Sequence, residues 1–126
     1  MTNVLSNLCR VYSETTGTGA LTLGGAVSGF LTFAQSGITN GQSVTYAIND
    51  YDAGGALIAT EIGVGVYTSS GTSLSRTVYA STNSNSAISC TGRQHVFITP
   101  AKEDFSSLLS STAAAAAYQP LNGRDG

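Results

Sequence analysis

The stretch NDYDAGGALIATE places oxygen-bearing side chains at spacings that a calcium ion could use. Counted from Asp50, Asp52 stands third, Gly55 sixth and Glu61 twelfth. In an EF-hand loop these places supply carboxylates, the sharp glycine turn and a bidentate glutamate. Gly54 in the fifth place and Ile58 in the ninth offer no side-chain oxygen, and the flanking segments read as strands. A hairpin loop rich in Asp and Gly produces the same letters for conformational reasons. Asp50, Asp52 and Glu61 are therefore read as turn and strand residues before metal ligands, and no cofactor is expected. As an acid/base pair, Asp50 and Asp52 again read better as turn chemistry. His95, the only histidine, stands in RQHVFIT without a GxSxG elbow or an orienting acid nearby, so a structural or surface role is expected. GTGALTLGG lacks the Lys-Ser/Thr ending and the following helix of a phosphate loop. Cys9 and Cys90 show no CxxC spacing and are read as small buried residues, with a bridge between them as the alternative. These residues point away from an enzyme.

The elements that carry them form a lightly charged chain of 126 residues, enough for one domain with its own core. Charged residues make up 10%, against roughly 25% in ordinary globular domains. Ser, Thr and Gly take their place, a surface suited to stacking against other protein copies. A net charge of -2 with the single lysine Lys102 argues against a nucleic-acid partner. No apolar run approaches the roughly 20 residues of a membrane span, so no membrane insertion is expected. The start MTNVLSNLCRVYSE has no cationic stretch followed by a long apolar one, so no signal peptide is expected.

Strand signals recur at short intervals. LCRVYSETT opens the series, and ALTLGGAVSGFLTFAQ predicts two short strands broken at Gly24-Gly25. Asn40-Gly41 marks a turn before SVTYAIND, where Val44, Tyr46 and Ile48 share a face. In ALIATEIGVGVYT, Ile62, Val64 and Val66 share one face; Gly63 and Gly65 leave the other nearly bare, open to close approach by another backbone. LSRTVYAS predicts a further strand and AISCTGRQHVFITP a final hairpin. Without helical crossovers between strands, the expected fold is all-β: an antiparallel sandwich or small barrel over 1–99, including an N-terminal arm at 1–10.

A helix is expected over 100–119, with Thr99 as N-cap, Pro100 as first residue, and Glu103 and Asp104 in the first turns. Phe105, Leu108, Thr112 and Ala115 repeat at steps of three, four and three, the seam of a heptad, and Leu109 widens it. The alanines Ala113–Ala117 allow close approach between helices, so self-association is favoured over docking on the chain's own sheet. Residues 120–126 are a linker or the end of the chain.

The run EIGVGVYTSSGTSLSRTVYASTNSNSAISCTGRQHVFITPAKEDF resembles a domain of bacteriophage tail-fibre and related virion structural proteins. In that domain a strand of the type E-x-G-x-G-x-Y-T precedes a short turn, LSRT, a Ser/Asn/Gly loop and a last strand ending VF-I/V-T. TTGTGALTLGGAVSGFLTFAQSGITNGQSVTYAIND resembles its first half, and AAAAYQPL is similar to segments between fibre modules. The resemblance implies a non-enzymatic virion protein, assembled in the host cytoplasm, whose β domain mounts a fibre on the tail or head. Its partners would be other virion proteins and, because such fibres are usually three-fold, two further copies of itself. The helix would then be the exit from the β heads into a shaft. Phe105, Leu108, Leu109, Thr112 and Ala115 would line the trimer axis, with Gly63 and Gly65 adding contacts between heads. Val4, Leu5 and Leu8 form an apolar cluster expected to dock on the particle, with an ordinary edge strand as the alternative. The competing function is a receptor- or glycan-binding module, for which Tyr51 is the residue to test.

Overall fold

The computed structural model describes residues 3–109, with side-chain surroundings through Phe105. Nine strands come first: β1 (Arg10–Ser13), β2 (Thr16–Gly17), β3 (Leu21–Thr22), β4 (Ser43–Tyr51), β5 (Leu57–Thr68), β6 (Ser73–Leu74), β7 (Thr77–Ser81), β8 (Cys90–Thr91) and β9 (Gln94–Ile98). Helix α1 (Lys102–Leu109) follows. The main sheet runs β1-β9-β4-β5-β6-β3, with β7 also paired to β5, and its named strands pair antiparallel. It curls into a half-barrel around the core, and β2 and β8 form a separate small ladder.

The β4–β5 hairpin is the backbone of this arrangement. Its turn forms because the Asp52 carboxylate accepts the N–H groups of Gly54 and Ala56, both at 2.9 Å, while Gly55 takes φ 91°. Val44, Tyr46 and Ile48 point into the core and are fully buried, as their alternation predicts. Phe33 and Tyr67 stack across it, with ring centroids 5.6 Å apart.

Three local expectations are corrected. The stretch after β3 does not form a second strand: apart from single bridges at Ala26 and Leu31 it runs as turns, which still bury Phe33 and Ile38. Too few residues alternate there between its glycines to sustain a ladder. AISCTGRQHVFITP is no hairpin, because β8 pairs with β2 while β9 inserts between β1 and β4. The helix begins at Lys102, two residues late, because the Thr99 N–H still bonds the Thr45 carbonyl at 3.2 Å. Ala101 takes the N-cap place, and the Asp104 carboxylate reaches back to its N–H at 2.9 Å, one arm of a capping box.

Candidate functional site

Three polar arrangements are built by this fold, one inside the sheet and two on its outer face. Inside, the residues of β5 facing the core are Glu61, Gly63, Gly65 and Tyr67, all buried. Arg76 comes from the unpaired step between β6 and β7 and meets Glu61. Its Nη2 lies 2.6 Å from Glu61 Oε1 and its Nε 3.0 Å from Oε2; their side chains are 2% and 0% exposed. The remaining N–H groups reach the carbonyls of Gly17, Gly19 and Ile88 at 2.8–3.2 Å, so all five guanidinium donors are used. Glu61 also accepts the Tyr46 hydroxyl at 2.6 Å and the Ile88 N–H at 2.9 Å. Burial pushes the Glu61 carboxyl up, but the hydrogen bonds from Arg76, Tyr46 and Ile88 outweigh it and hold it below its ordinary value. For Tyr46, burial and the neighbouring carboxylate both raise the phenol.

This network settles where the calcium-like residues sit. Glu61 is committed to Arg76, Asp50 accepts the Thr91 hydroxyl at 2.7 Å, and Asp52 closes the hairpin turn. The fold gives the three carboxylates separate structural partners and does not gather them around one centre. The expectation of Gly63 and Gly65 as an inter-chain face is corrected. A Cβ on Gly63 would stand 2.3 Å from the Thr77 carbonyl oxygen, and one on Gly65 2.1 Å from that of Ser75. The backbone that approaches the bare face is the chain's own. Ile62, Val64 and Val66 consequently face outward, with Val66 43% exposed. Cys9 and Cys90 are buried free thiols, each pushed up to about 11 by burial.

On the outer face the N-terminal arm and the start of α1 meet. Thr45 pairs with Val64 and is fully buried; its hydroxyl donates to the Asp104 carboxylate at 2.9 Å. Asn3 Nδ2 reaches the same hydroxyl at 3.0 Å, and the Tyr79 hydroxyl and Asp104 at 3.4 Å. The arm is further tied by the Val4 N–H to the Ser43 carbonyl at 2.7 Å. Val4 thus packs against its own core instead of being free to dock on a particle. Leu5 and Leu8 stay exposed at 47% and 66%, and Leu8 holds φ 65°, a costly conformation for a branched residue. Phe105, on the first turns of α1, is 52% exposed. Leu108 and Leu109 belong to α1, and their side chains lie outside the described surroundings; Thr112, Ala115 and residues 110–126 lie outside the described residues.

Further along the outer face, β1 and β9 carry an aromatic and basic group. Arg10 donates from Nε to His95 Nδ1 at 3.0 Å and from Nη2 to the Tyr51 hydroxyl at 3.1 Å, and its guanidinium carbon lies 4.6 Å from the Phe97 ring centroid. Burial and then the Arg10 charge hold His95 below its ordinary value, so the neutral ring is the acceptor. Tyr51 is half-buried and bonded into this support, whereas Tyr12 stands 46% exposed with its ring edge-to-face with His95. Alternation along RVYSE could have marked Tyr12 as outward-facing; Tyr51 is withdrawn by a pairing with Arg10 across 41 residues.

No protein-family model, curated protein or solved structure matches this chain. The functional reading therefore rests on the geometry and on the sequence resemblance.

Proposed function

We infer that this chain is a structural protein of a bacteriophage virion. Its β head mounts a trimeric fibre on the tail or head of the particle, and α1 opens the segment that leads into the shaft. It assembles with two further copies of itself and with other virion proteins in the host cytoplasm.

The observation that carries this reading is the junction at Thr45. Asn3 and Asp104, 101 residues apart in the chain, are pinned to one spot on the sheet, so the arm and the exit helix leave the head together. Exposed Leu5, Leu8, Val66 and Phe105 belong to the arm, the adjoining strand and the helix that meet there. Side chains of this size in water favour a partner surface, each fully buried one contributing about 1.5–3 kcal/mol. The polar groups inside the sheet are already paired with one another, which suits a scaffold. The shared exit supports a shaft that starts beside the attachment arm, with neighbouring heads around the axis instead of stacked along it.

The test is incorporation. Changing Leu5 and Leu8 together to Ser should lower the amount of this protein in purified particles by at least about tenfold, the equivalent of one lost leucine contact. The circular dichroism of the isolated chain should stay unchanged, since neither side chain belongs to the core. Undiminished incorporation would remove the arm from the docking role.

A further inference from the structure

Beside Tyr12, on the side of β1 away from β9, the outer face carries a groove of about 510 Å³. It is lined by Tyr12, Glu14, Thr15, Thr22, Gly24 and Gly25, along with buried Leu23. The groove exists because the chain after β3 returns along the free edge of β1. The Tyr12 N–H bonds the Gly25 carbonyl at 2.9 Å, and the Gly24 N–H bonds the Tyr12 carbonyl at 2.7 Å. Gly24 fits tightly there, since a Cβ would stand 3.0 Å from that carbonyl oxygen. Gly25 does not: nothing lies within 4 Å of where its Cβ would be, so its space opens into the groove.

We propose that this groove binds a neutral hexose unit of a saccharide, with Tyr12 as the stacking platform. The activity goes beyond an assembly role and does not depend on it. Three observations point to this ligand class. Tyr12 is a large exposed aromatic, held in place by edge-to-face contact with His95, which is fixed in turn by the Arg10 hydrogen bond. A ring so held offers an apolar face to the C–H side of a pyranose at little entropic cost. The Glu14 carboxylate and the Thr22 hydroxyl line the same groove and have no hydrogen-bond partner among the described residues, so they are free to meet sugar hydroxyls. The Thr15 hydroxyl is already committed to the Thr22 backbone, which fixes the rim. The volume falls within the range of small-molecule sites and suits one or two sugar units. Glu14 brings the one formal charge in the lining, and its sign disfavours acidic sugars.

Saturation-transfer difference NMR on the full chain tests this with four probes: the methyl glycosides of glucose, galactose, mannose and N-acetylglucosamine, each at about 10 mM, enough to populate a millimolar site. At least one should receive saturation on its ring protons. The signal should vanish in Tyr12→Ala, and Glu14→Gln should bind about tenfold more weakly through the loss of a charged acceptor. Tyr12 is a surface residue, so its variant should fold; if circular dichroism shows otherwise, Glu14→Gln and Thr22→Val carry the comparison. Methyl glucuronide serves as the acidic control and should bind more weakly than the neutral glycosides. Absence of transfer to all four, transfer undiminished in the variants, or preference for the glucuronide would overturn the proposal.

Discussion

Replacing Arg76 with methionine is expected to cost this fold about 3–5 kcal/mol, the range for breaking a buried ion pair from one side. The substitution keeps the bulk of the stem but leaves the Glu61 carboxylate charged and without its cation in a site of almost no exposure. It also strips the carbonyls of Gly17, Gly19 and Ile88 of donors, loosening the loop between β2 and β3. Against a total stability of roughly 5–15 kcal/mol, much of the folded population is at stake. The midpoint of thermal unfolding should fall by at least about 10 °C. Glu61→Gln should be costly too: its carbonyl can keep the Tyr46 hydroxyl and Arg76 Nε, but its NH2 then faces the Arg76 Nη2 and Ile88 N–H donors, and the buried cation loses its counter-charge. Changing Glu61 and Arg76 together to methionine should recover part of the loss, because no lone charge then remains. The pair has a pH signature with a definite sign. Because the Glu61 carboxyl is held below its ordinary value of 4.5, the stability it adds is present above that pH and is lost as pH falls through the lower, folded-state value. That acid-side loss should shrink in Glu61→Gln. An Arg76→Met protein as stable as the parent would mean that the pair is not formed.

Gly65→Ala is the second large effect, and one methyl group causes it. The added Cβ would lie 2.1 Å from the Ser75 carbonyl oxygen and 3.0 Å from two carbons of Leu74. Neither neighbour can give way easily. Leu74 is fully buried, and Ser75 is tied to Val66 through both its N–H at 3.2 Å and its hydroxyl at 2.8 Å. Overpacking at a backbone atom of this kind should cost about 3 kcal/mol, the upper end for core insertions, and lower the unfolding midpoint by roughly 10 °C. Gly63→Ala should behave alike, pushing on the Thr77 carbonyl and on the Tyr46 hydroxyl that serves Glu61. Gly25→Ala is the control and should leave the midpoint nearly unchanged, since its Cβ would meet nothing within 4 Å. If Gly65→Ala were equally silent, the 75–77 segment would not pack on β5, and the bare face would again be available to another chain.

The outcome at β5 shows where sequence patterning stops being informative. The alternation of Ile62, Val64 and Val66 against Gly63 and Gly65 correctly predicts a strand, and Asp52 with Gly55 correctly predicts its turn. The direction of the faces was not legible from hydrophobicity alone. An apolar stripe ordinarily turns inward, but here the inward space is narrow and is filled by the 75–77 backbone, which only glycine tolerates. The Glu61–Arg76 pair was hidden for a related reason. It joins residues 15 apart through a step with no regular pairing, and neither side chain announces burial. The motif E-x-G-x-G-x-Y-T followed by LSRT contains every part of it, yet those letters become a buried network only once the register is known. The junction at Thr45 depends on contacts across 42 and 59 residues, beyond any local periodicity. Tyr12, by contrast, has the outward face that simple alternation along β1 assigns it, and exposed Glu14 follows directly after the strand ends at Ser13.

The central claim is that this head assembles in threes about the helix that begins at Lys102. Sedimentation equilibrium on the purified 126-residue chain tests it most directly, across concentrations up to millimolar. The expected result is a species of three times the 12.8 kDa protomer mass, dominant at least at the highest concentrations. Changing Phe105 and Leu108 together to Asp should shift that species toward the protomer while the β-type circular dichroism spectrum persists. A chain that stays at the protomer mass up to millimolar concentration would contradict the account.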